Sequence, residues 1–276
     1  MAEEEPPLDR QLAASEQDGV LWLTLDRPYA ANALTPAQRD RLIDLLAAAG
    51  GRVEVRAVVL TATGRHFCTG ADLRAARAGP DRPEGAPELV VGDVGRMLRD
   101  GAQRMVAAVL DCEKPVIAAV NGTAAGIGAH LALACDLVVA AEGARFIEIF
   151  VRRGLVPDGG GCWLLPRLIG LHKAKELMLL GDDLPAPEAE RLGLVNRVVP
   201  GDQLAEVAGA WAARLASGPT RSIALTKALL NRSLDSDRAT ALHDEATAQE
   251  LNMGTRDAQE GVAAFVERRD PTYLGY

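Results

Sequence analysis

The sequence is poor in the residues that build metal centres. It has four cysteines and four histidines among 276 residues. The cysteines stand far apart, without C-x-x-C spacing or paired histidines nearby. Because this spacing is typical of buried free thiols rather than of metal ligands, we expect no metal site. The four expected buried thiols are Cys68, Cys112, Cys135 and Cys162.

An excess of positive charge is also lacking. The chain has 30 Lys and Arg against 38 Asp and Glu, a formal net charge of −8, and its pI is near 5.1. This balance argues against a protein that holds nucleic acid or an anionic membrane over a broad basic surface. A local basic patch, which a polyanionic ligand would need, remains compatible with the composition.

No long uninterrupted apolar run is present. The longest apolar stretch, residues 115–141, is broken by Asn121, His130 and Asp136, so a membrane span is not expected. Residues 1–7 are acidic where a signal peptide would be basic and then apolar. These features favour a cytoplasmic globular protein, which is consistent with 48% hydrophobic and 25% charged residues.

Strand and helix patterns alternate over the first 200 residues. Strands are predicted at 20–25, 56–61, 115–120 and 136–141, and a helix is predicted from Thr35-Pro36 to Gly50-Gly51 because threonine followed by proline is typical of a helix start. Residues 94–110 show helical spacing, and the Pro- and Gly-containing segment 78–87 is predicted to be a flexible loop. The alternation predicts an α/β core with a partly parallel sheet and site loops at the carboxyl ends of its strands.

After about residue 200 the pattern changes to helices alone. Four are predicted, at 203–216, 219–231, 237–253 and 255–268. We therefore expect a loose N-terminal tail over residues 1–15, an α/β core over 16–200, and a helical region over 201–276 that packs on the core or mediates oligomer contacts.

Two stretches rich in small residues each follow a predicted strand. One is Cys68–Leu73 and the other is Asn121–Gly128. Small residues let the chain turn sharply and bring its backbone close to a ligand. If the two turns face each other, their N–H groups could hold one oxygen atom and stabilise an oxyanion, which indicates acyl chemistry.

Simpler interpretations exist for both turns. Gly126-Ile127-Gly128 partly matches a dinucleotide-binding motif, but its third glycine position is Leu131 and the first predicted turn near residue 26 lacks the pattern. A helix N-terminus with unpaired N–H groups is the better interpretation. Asp72 could simply cap the next helix, and a capping Asp72 would also fix the direction of the Ala71 amide.

Side-chain candidates for the chemistry are few. Asp158 directly precedes a Gly-rich turn and could be either an acid–base group or a helix N-cap. Capping bonds would lower its pKa, whereas an apolar pocket would raise it. His130 could relay protons or be a hydrogen-bonded core histidine. His66 is expected to be structural, and Glu142 and Glu148 are expected to be solvated.

At these residues the chain strongly resembles the crotonase, or enoyl-CoA hydratase/isomerase, superfamily from about residue 20 to Tyr276. Several separated motifs occur in the expected order. They are Asp26-Arg27-Pro28 with Asn32-Ala33-Leu34, His66–Leu73, Lys114–Gly122, Gly193-Leu194-Val195 and the helix containing Ala264-Phe265.

The resemblance implies a fold, a ligand and an assembly. The fold is a spiral of ββα units with a C-terminal all-helical trimerisation region, and the assembly is a homotrimer or a dimer of trimers. The ligand is an acyl-CoA thioester, with coenzyme A as part of the substrate and no separate cofactor. By position, Ala71 and Ile127 would donate the two oxyanion-hole amides. The CoA moiety would bind at Arg27, Ala30, Ala71, Asp72 and Leu73.

The chain departs from the hydratase pattern at the reacting groups. His130 and Phe150 match the positions of the two glutamates that handle water in hydratases, and phenylalanine cannot transfer a proton. The stretch 154–167 resembles instead the isomerase branch of phenylacetate breakdown, in which an aspartate at the position of Asp158 is the acid–base group. A related dehalogenase branch uses that aspartate as a nucleophile.

The resemblance thus favours double-bond or ring isomerisation through a thioester enolate, with Asp158 moving the proton and His130 available as a second titrating group. Two alternatives remain open. The first is a hydratase or hydrolase in which His130 activates water. The second is a catalytically silent member of the fold that binds acyl-CoA.

Overall fold

The computed structural model describes residues 6–74, 83, 85, 87 and 90–276. Its first elements correct the expectation of a loose tail through residue 15. Leu8–Gln11 forms helix α1 and Leu12–Gln17 forms strand β1, which pairs antiparallel with β2 (Val20–Leu25). The polar residues of β1 show no strand pattern in the sequence. The strand is stabilised by pairing with β2 and by the fully buried Leu12. Most of the predicted loop at 78–87 lies outside the described residues.

A six-stranded sheet forms the centre of the fold. Its order is β1-β2-β3-β5-β7-β10, and all pairs except β1 with β2 are parallel. The remaining strands are β3 (Ala57–Ala62), β5 (Val116–Val120), β7 (Leu137–Ala141) and β10 (Arg197–Val199). Every residue of β5 is buried, as expected for a strand covered on both faces. The four strands predicted from the sequence are all present.

A second sheet of four short strands has the order β4-β6-β8-β9. These strands are β4 (His66–Cys68), β6 (Thr123–Ala125), β8 (Arg145–Ile147) and β9 (Asp183–Pro185), and only β8 with β9 is antiparallel. Each of β3, β5 and β7 is followed directly by a short strand of this sheet and then by a helix. The fold is therefore the expected spiral of ββα units.

Helices fill the connections and cover the sheets. Helix α2 (Pro36–Gly51) begins as predicted, since Thr35 and Gln38 form a reciprocal capping box ahead of proline. Residues 93–110 form α3, a π-helical turn at Arg99–Gln103, and α4. The further bounds are α3 Asp93–Leu98, α4 Arg104–Leu110, α5 Ile127–Leu133, α6 Gly161–Ile169, α7 Leu171–Leu180 and α8 Ala186–Arg191.

The C-terminal region is helical, as predicted. It contains α9 (Leu204–Ala216), α10 (Thr220–Ser233), α11 (Arg238–Met253) and α12 (Arg256–Glu267). Helix α9 lies on the large sheet against β3, β5 and β7 through the buried residues Ala208, Ala212 and Ala216, spaced one helical turn apart. Helix α9 is thus part of the core, whereas α10–α12 carry several exposed apolar side chains.

The expectation of four buried thiols is confirmed for Cys68, Cys112 and Cys135 and is wrong for Cys162, which is exposed near the start of α6. None of the described helices is both long and apolar enough to cross a membrane.

Candidate active site

The two glycine-bearing turns lie next to each other. Strands β4 and β6 pair in parallel, so their carboxyl ends meet at one edge of the small sheet. The backbones are so close that a Cβ atom on Gly128 would lie 2.2 Å from the carbonyl oxygen of Cys68. A Cβ on Gly70 would lie 3.3 Å from the carbonyl oxygen of Ala125. Only glycine at position 128 allows the start of α5 to reach the end of β4 without displacement.

The backbone around Ala71 directs its N–H away from the paired segment at Leu34. Leu34 accepts from the N–H of Asp72 and donates to the carbonyl of Gly70, both at 2.8 Å. In such a parallel bridge the N–H of the residue between those partners, Ala71, points to the opposite side. In the described part of the chain this N–H has no backbone acceptor, and Ala71 is exposed.

The amide of Ile127 is unpaired for a different reason. Ile127 is the first residue of α5, and the first N–H groups of a helix have no acceptor within it. No acceptor for this N–H occurs within residues 6–74, 83, 85, 87 and 90–276. Two unpaired amides therefore lie on adjacent turns, which is the arrangement that an oxyanion hole requires.

Below the first turn, an ion pair fixes its geometry. The guanidinium of Arg27 is 3% exposed and lies 3.2 Å from Oδ2 of Asp72, and it donates to the carbonyl of Ala33 at 2.8 Å. Asp72 also accepts from the N–H of Arg74 at 3.0 Å. The charge of Arg27 is thus neutralised by Asp72 inside the protein. Of the neighbouring residues, Leu73 is 52% exposed and Ala30 is partly exposed.

Asp158 is not a helix cap. Gly160 occupies the N-cap position of α6, and no side chain of the described residues caps that helix. Asp158 is half-buried instead. Burial raises the pKa of Asp158 above its ordinary value, although the nearby His130 acts in the opposite direction. A carboxyl group with a raised pKa in a partly enclosed position is a candidate acid–base group.

His130 lies in the core beneath this loop. Its side chain is completely buried, and its ring stacks on Phe150 with centroids 5.3 Å apart and planes at 19°. Its Nε2 atom lies 3.0 Å from Oε2 of Glu148. The expectation of a solvated Glu148 is therefore wrong: this side chain is 5% exposed, because its carboxylate pairs with a histidine 18 residues away. Glu142 is exposed as expected.

The loop after Asp158 needs its glycines to accommodate the imidazole. A Cβ on Gly159 would lie 2.9 Å from Nδ1 of His130 and 2.0 Å from Cδ1 of Ile127. A Cβ on Gly161 would lie 2.1 Å from Nε2 of His130. Gly159 and Gly161 thus let the loop that carries Asp158 pack directly on His130, beside Ile127.

The structure therefore brings the turns of Ala71 and Ile127 together on one side. It brings the Asp158 loop, His130 and Phe150 together on the other, with the side chain of Ile127 next to Gly159 of that loop. Sequence reasoning missed Glu148, although a carboxylate between the apolar residues Ile147 and Ile149 was a usable signal. His66 is partly buried, and its Nδ1 has no partner in the part of the chain that the structure describes. Those described residues include no cluster of three or more potential metal ligands.

Comparison with known proteins gives a consistent result. The model of the family described as enoyl-CoA hydratase/isomerase matches residues 15–275. A probable enoyl-CoA hydratase of Rhodobacter capsulatus is 40% identical over 94% of this chain and 95% of its own length. The 1,2-epoxyphenylacetyl-CoA isomerase of Escherichia coli is 38% identical over 94% of this chain and 96% of its own length.

A solved structure shares the fold over the whole chain. The crystal structure of a putative enoyl-CoA hydratase from Streptomyces coelicolor superposes with a TM-score of 0.88 at 40% identity, covering 100% of this chain and 98% of that one.

Proposed function

Because the chain belongs to the enoyl-CoA hydratase/isomerase family and is an acyl-CoA enzyme of that family, we propose that it isomerises enoyl-CoA thioesters, or ring-containing relatives of them, through an enolate. The main observation in support is that the loop carrying the half-buried carboxyl group of Asp158 lies against Ile127, beside two unpaired amides. At the hydratase positions the chain has a phenylalanine and a fully buried histidine.

In the proposed reaction the thioester oxygen lies between the N–H groups of Ala71 and Ile127. Negative charge develops on this oxygen when a proton leaves C2, so both hydrogen bonds strengthen in the transition state. Each such donor contributes ~3 kcal/mol of transition-state stabilisation in well-studied oxyanion holes. The position of Ile127 at a helix start adds a favourable local dipole.

Asp158 moves the proton. Its carboxylate takes the proton from C2, and the electrons of that C–H bond form a C1–C2 double bond while the carbonyl electrons move to the thioester oxygen. Return of the proton at C4 shifts the double bond to C2–C3 and restores the carbonyl. The raised pKa of Asp158 supports this assignment, since proton transfer is most effective when the pKa approaches the working pH.

For the CoA moiety we propose the surface formed by residues 27–31 and 71–73, with no separate cofactor. The Arg27–Asp72 pair would hold these two segments together, and the exposed Leu73 and the polypeptide backbone near Ala30 would contact the ligand.

The assignment of Asp158 is tested by isomerisation of 3-enoyl-CoA esters. We expect Asp158→Asn to lower kcat by about 10²–10⁴, the usual contribution of a positioned acid–base group, and to leave binding of the CoA ester almost unchanged. Turnover is followed by the absorbance of the conjugated product, and binding by calorimetry. Equal rates for the variant and the wild type would exclude this role.

A second candidate is hydration or hydrolysis with His130 activating water, favoured by the similarity to relatives named as hydratases and by the carboxylate partner of His130. Complete burial of His130 and its stacking on Phe150 are unfavourable for water access. The reaction in labelled water separates the two candidates.

We also propose that the protein forms a homotrimer or a dimer of trimers through its C-terminal helices. Several apolar side chains there are more than half exposed, including Leu251, Phe265 and Val266 at 64%, 85% and 74%. Surfaces of this kind commonly mark protein interfaces. Light scattering after size exclusion gives the mass, and a monomer at micromolar concentration would contradict the proposal.

A further inference from the structure

The pair formed by Glu148 and His130 is not explained by packing alone. Both side chains are at least nine-tenths buried and are joined by one hydrogen bond of 3.0 Å through Nε2. An apolar pair would fill this space without the cost of removing a carboxylate and an imidazole from water. Nδ1, the other ring nitrogen, is buried and lacks a hydrogen-bond partner among the described residues. Such an orphaned polar atom calls for an explanation.

The position of Nδ1 indicates what could satisfy it. This atom faces Gly159, where a Cβ would lie only 2.9 Å away, and Gly159 directly follows Asp158. His130 also lies close enough to Asp158 to affect the pKa of that carboxyl group. Another titratable group close to the pair is Cys162 on α6, whose pKa is raised by burial and in part by the charge of Glu148.

An ionised Asp158 has no proton to donate, and a histidine with its proton on Nε2 has only an acceptor at Nδ1. The two groups therefore cannot bond to each other before the reaction. After Asp158 has taken a proton, its carboxylic acid is a donor and Nδ1 is an acceptor. The orphaned atom in the resting enzyme thus fits a partner that exists only during turnover.

We propose that Glu148 is a positioning residue that keeps the proton of His130 on Nε2, so that Nδ1 accepts a hydrogen bond from Asp158 while Asp158 carries the proton taken from the substrate. This inference rests on the proposed isomerase function. The hydrogen bond holds the proton away from water until it returns to C4, and no proton is gained or lost in the cycle.

A consequence is that the substrate proton is retained. His130 has no exposed surface, and its ring is enclosed by Phe150 and the glycine loop. In deuterium oxide, unlabelled 3-enoyl-CoA should therefore give a product with mostly protium at C4. Without the acceptor at Nδ1, the carboxylic acid of Asp158 would exchange with solvent more readily before the second transfer.

The first test observes the wild type directly and uses one variant only for assignment. Nitrogen-15 NMR of the protein labelled at its four histidines reports which ring nitrogen of His130 is protonated, with a Glu148→Gln sample to assign the signal. At the pH of the activity assay we expect a proton on Nε2 and an unprotonated Nδ1. A proton on Nδ1 would overturn the proposal whether or not the enzyme isomerises any thioester.

The second test measures deuterium at C4 by mass spectrometry, together with kcat and KM, in His130→Gln and Glu148→Gln. We expect at least a twofold rise in deuterium at C4 and a roughly tenfold fall in kcat, with KM nearly unchanged. Glu142→Gln is the matched control, since Glu142 is exposed at the other end of β8. Circular dichroism confirms that each variant is folded.

The isomerase function and the proton-holding role of Glu148 and His130 can be disproved separately. If the wild type isomerises and Asp158→Asn does not, but the Glu148 and His130 variants keep the wild-type label content and kcat, the proton-holding role is wrong and the isomerase function stands. If the variants cannot be purified, the isotope content of the wild-type product decides the proposal: mostly protium at C4 supports it, and complete exchange at C4 contradicts it.

Discussion

The two sides of the proposed active site are built in different ways. On one side, the N–H groups of Ala71 and Ile127 belong to the backbone and are placed by the pairing of β4 with β6 and by the start of α5. On the other side, Asp158, His130 and Glu148 act through side chains, and the imidazole depends on two glycines, Gly159 and Gly161, for space.

The difference shows which part of such a site is free to vary. The amides keep their positions whatever the local side chains are, provided that position 128 is glycine, because register and helix start determine where they point. The opposite side can be altered by exchanging one side chain, because Asp158, His130 and Glu148 act through side-chain atoms. We therefore expect substitutions on the amide side to affect folding and activity together, and those opposite to affect mainly the chemistry.

The largest effect on the amide side should come from Arg27→Ala. The variant leaves Asp72 without its buried partner and removes the hydrogen bond to Ala33. Breaking a buried ion pair costs ~3–5 kcal/mol, so we expect Tm to fall by roughly 10 °C and KM for the CoA ester to rise. Arg52→Ala is the control, because its pair with Glu16 is exposed and its loss should barely change Tm. A similar Tm for both variants would contradict the structural role of Arg27.

The next effect is expected for Gly128→Ala. The added Cβ would lie 2.2 Å from a backbone oxygen of Cys68, which cannot move as a flexible side chain does. The start of α5 must shift, so the N–H of Ile127 no longer points at the thioester oxygen. We therefore expect kcat to fall by about 10²–10³, as when one oxyanion donor is removed. Gly143→Ala, with no atom within 4 Å of its added Cβ, serves as the control. An active Gly128→Ala enzyme would argue against Ile127 as a donor.

On the opposite side, Gly161→Ala should have a smaller and more selective effect. Its Cβ would lie 2.1 Å from Nε2 of His130 and would disturb the bond to Glu148. We expect kcat to fall about tenfold, ~1.4 kcal/mol of activation free energy, with little change in binding of the CoA ester by calorimetry. A variant that loses ester binding but keeps kcat would reverse the proposed division between the two sides.

The smallest effect concerns stability and pH. The pKa of Asp158 is higher in the folded chain than its ordinary value because of burial, so the folded state binds more protons than the unfolded state between the two pKa values. The wild type therefore loses stability as pH rises through that window. Asp158→Asn should have a Tm equal to that of the wild type at pH 3 and a slightly higher Tm at pH 7. A lower Tm at pH 7 would indicate a stabilising role for the carboxylate.

Much of the framework could be predicted because its signals are local. Thr35-Pro36 starts α2, the apolar run of β5 is buried, and the four C-terminal helices end within a few residues of their predicted bounds. Strand β1 was missed because polar residues such as Ser15 and Glu16 become a strand only by pairing with β2.

The side-chain environment of the site was less accessible to prediction. The burial of Glu148 depends on His130 in another ββα unit, and the absence of a cap role for Asp158 depends on where α6 begins. Neither is a property of a short sequence window. The sequence predicted an oxyanion site only on the condition that the two glycine turns lie next to each other. The close contact of Gly128 with Cys68 meets this condition.

The most direct test of the central claim is product analysis in water enriched in oxygen-18. The wild-type enzyme is incubated with a 3-enoyl-CoA ester and, separately, with a 2-enoyl-CoA ester, and the products are analysed by mass spectrometry. We expect a conjugated 2-enoyl product from the first substrate, with no labelled oxygen in either reaction. A 3-hydroxyacyl-CoA or a free acid carrying oxygen-18 as the main product would contradict it.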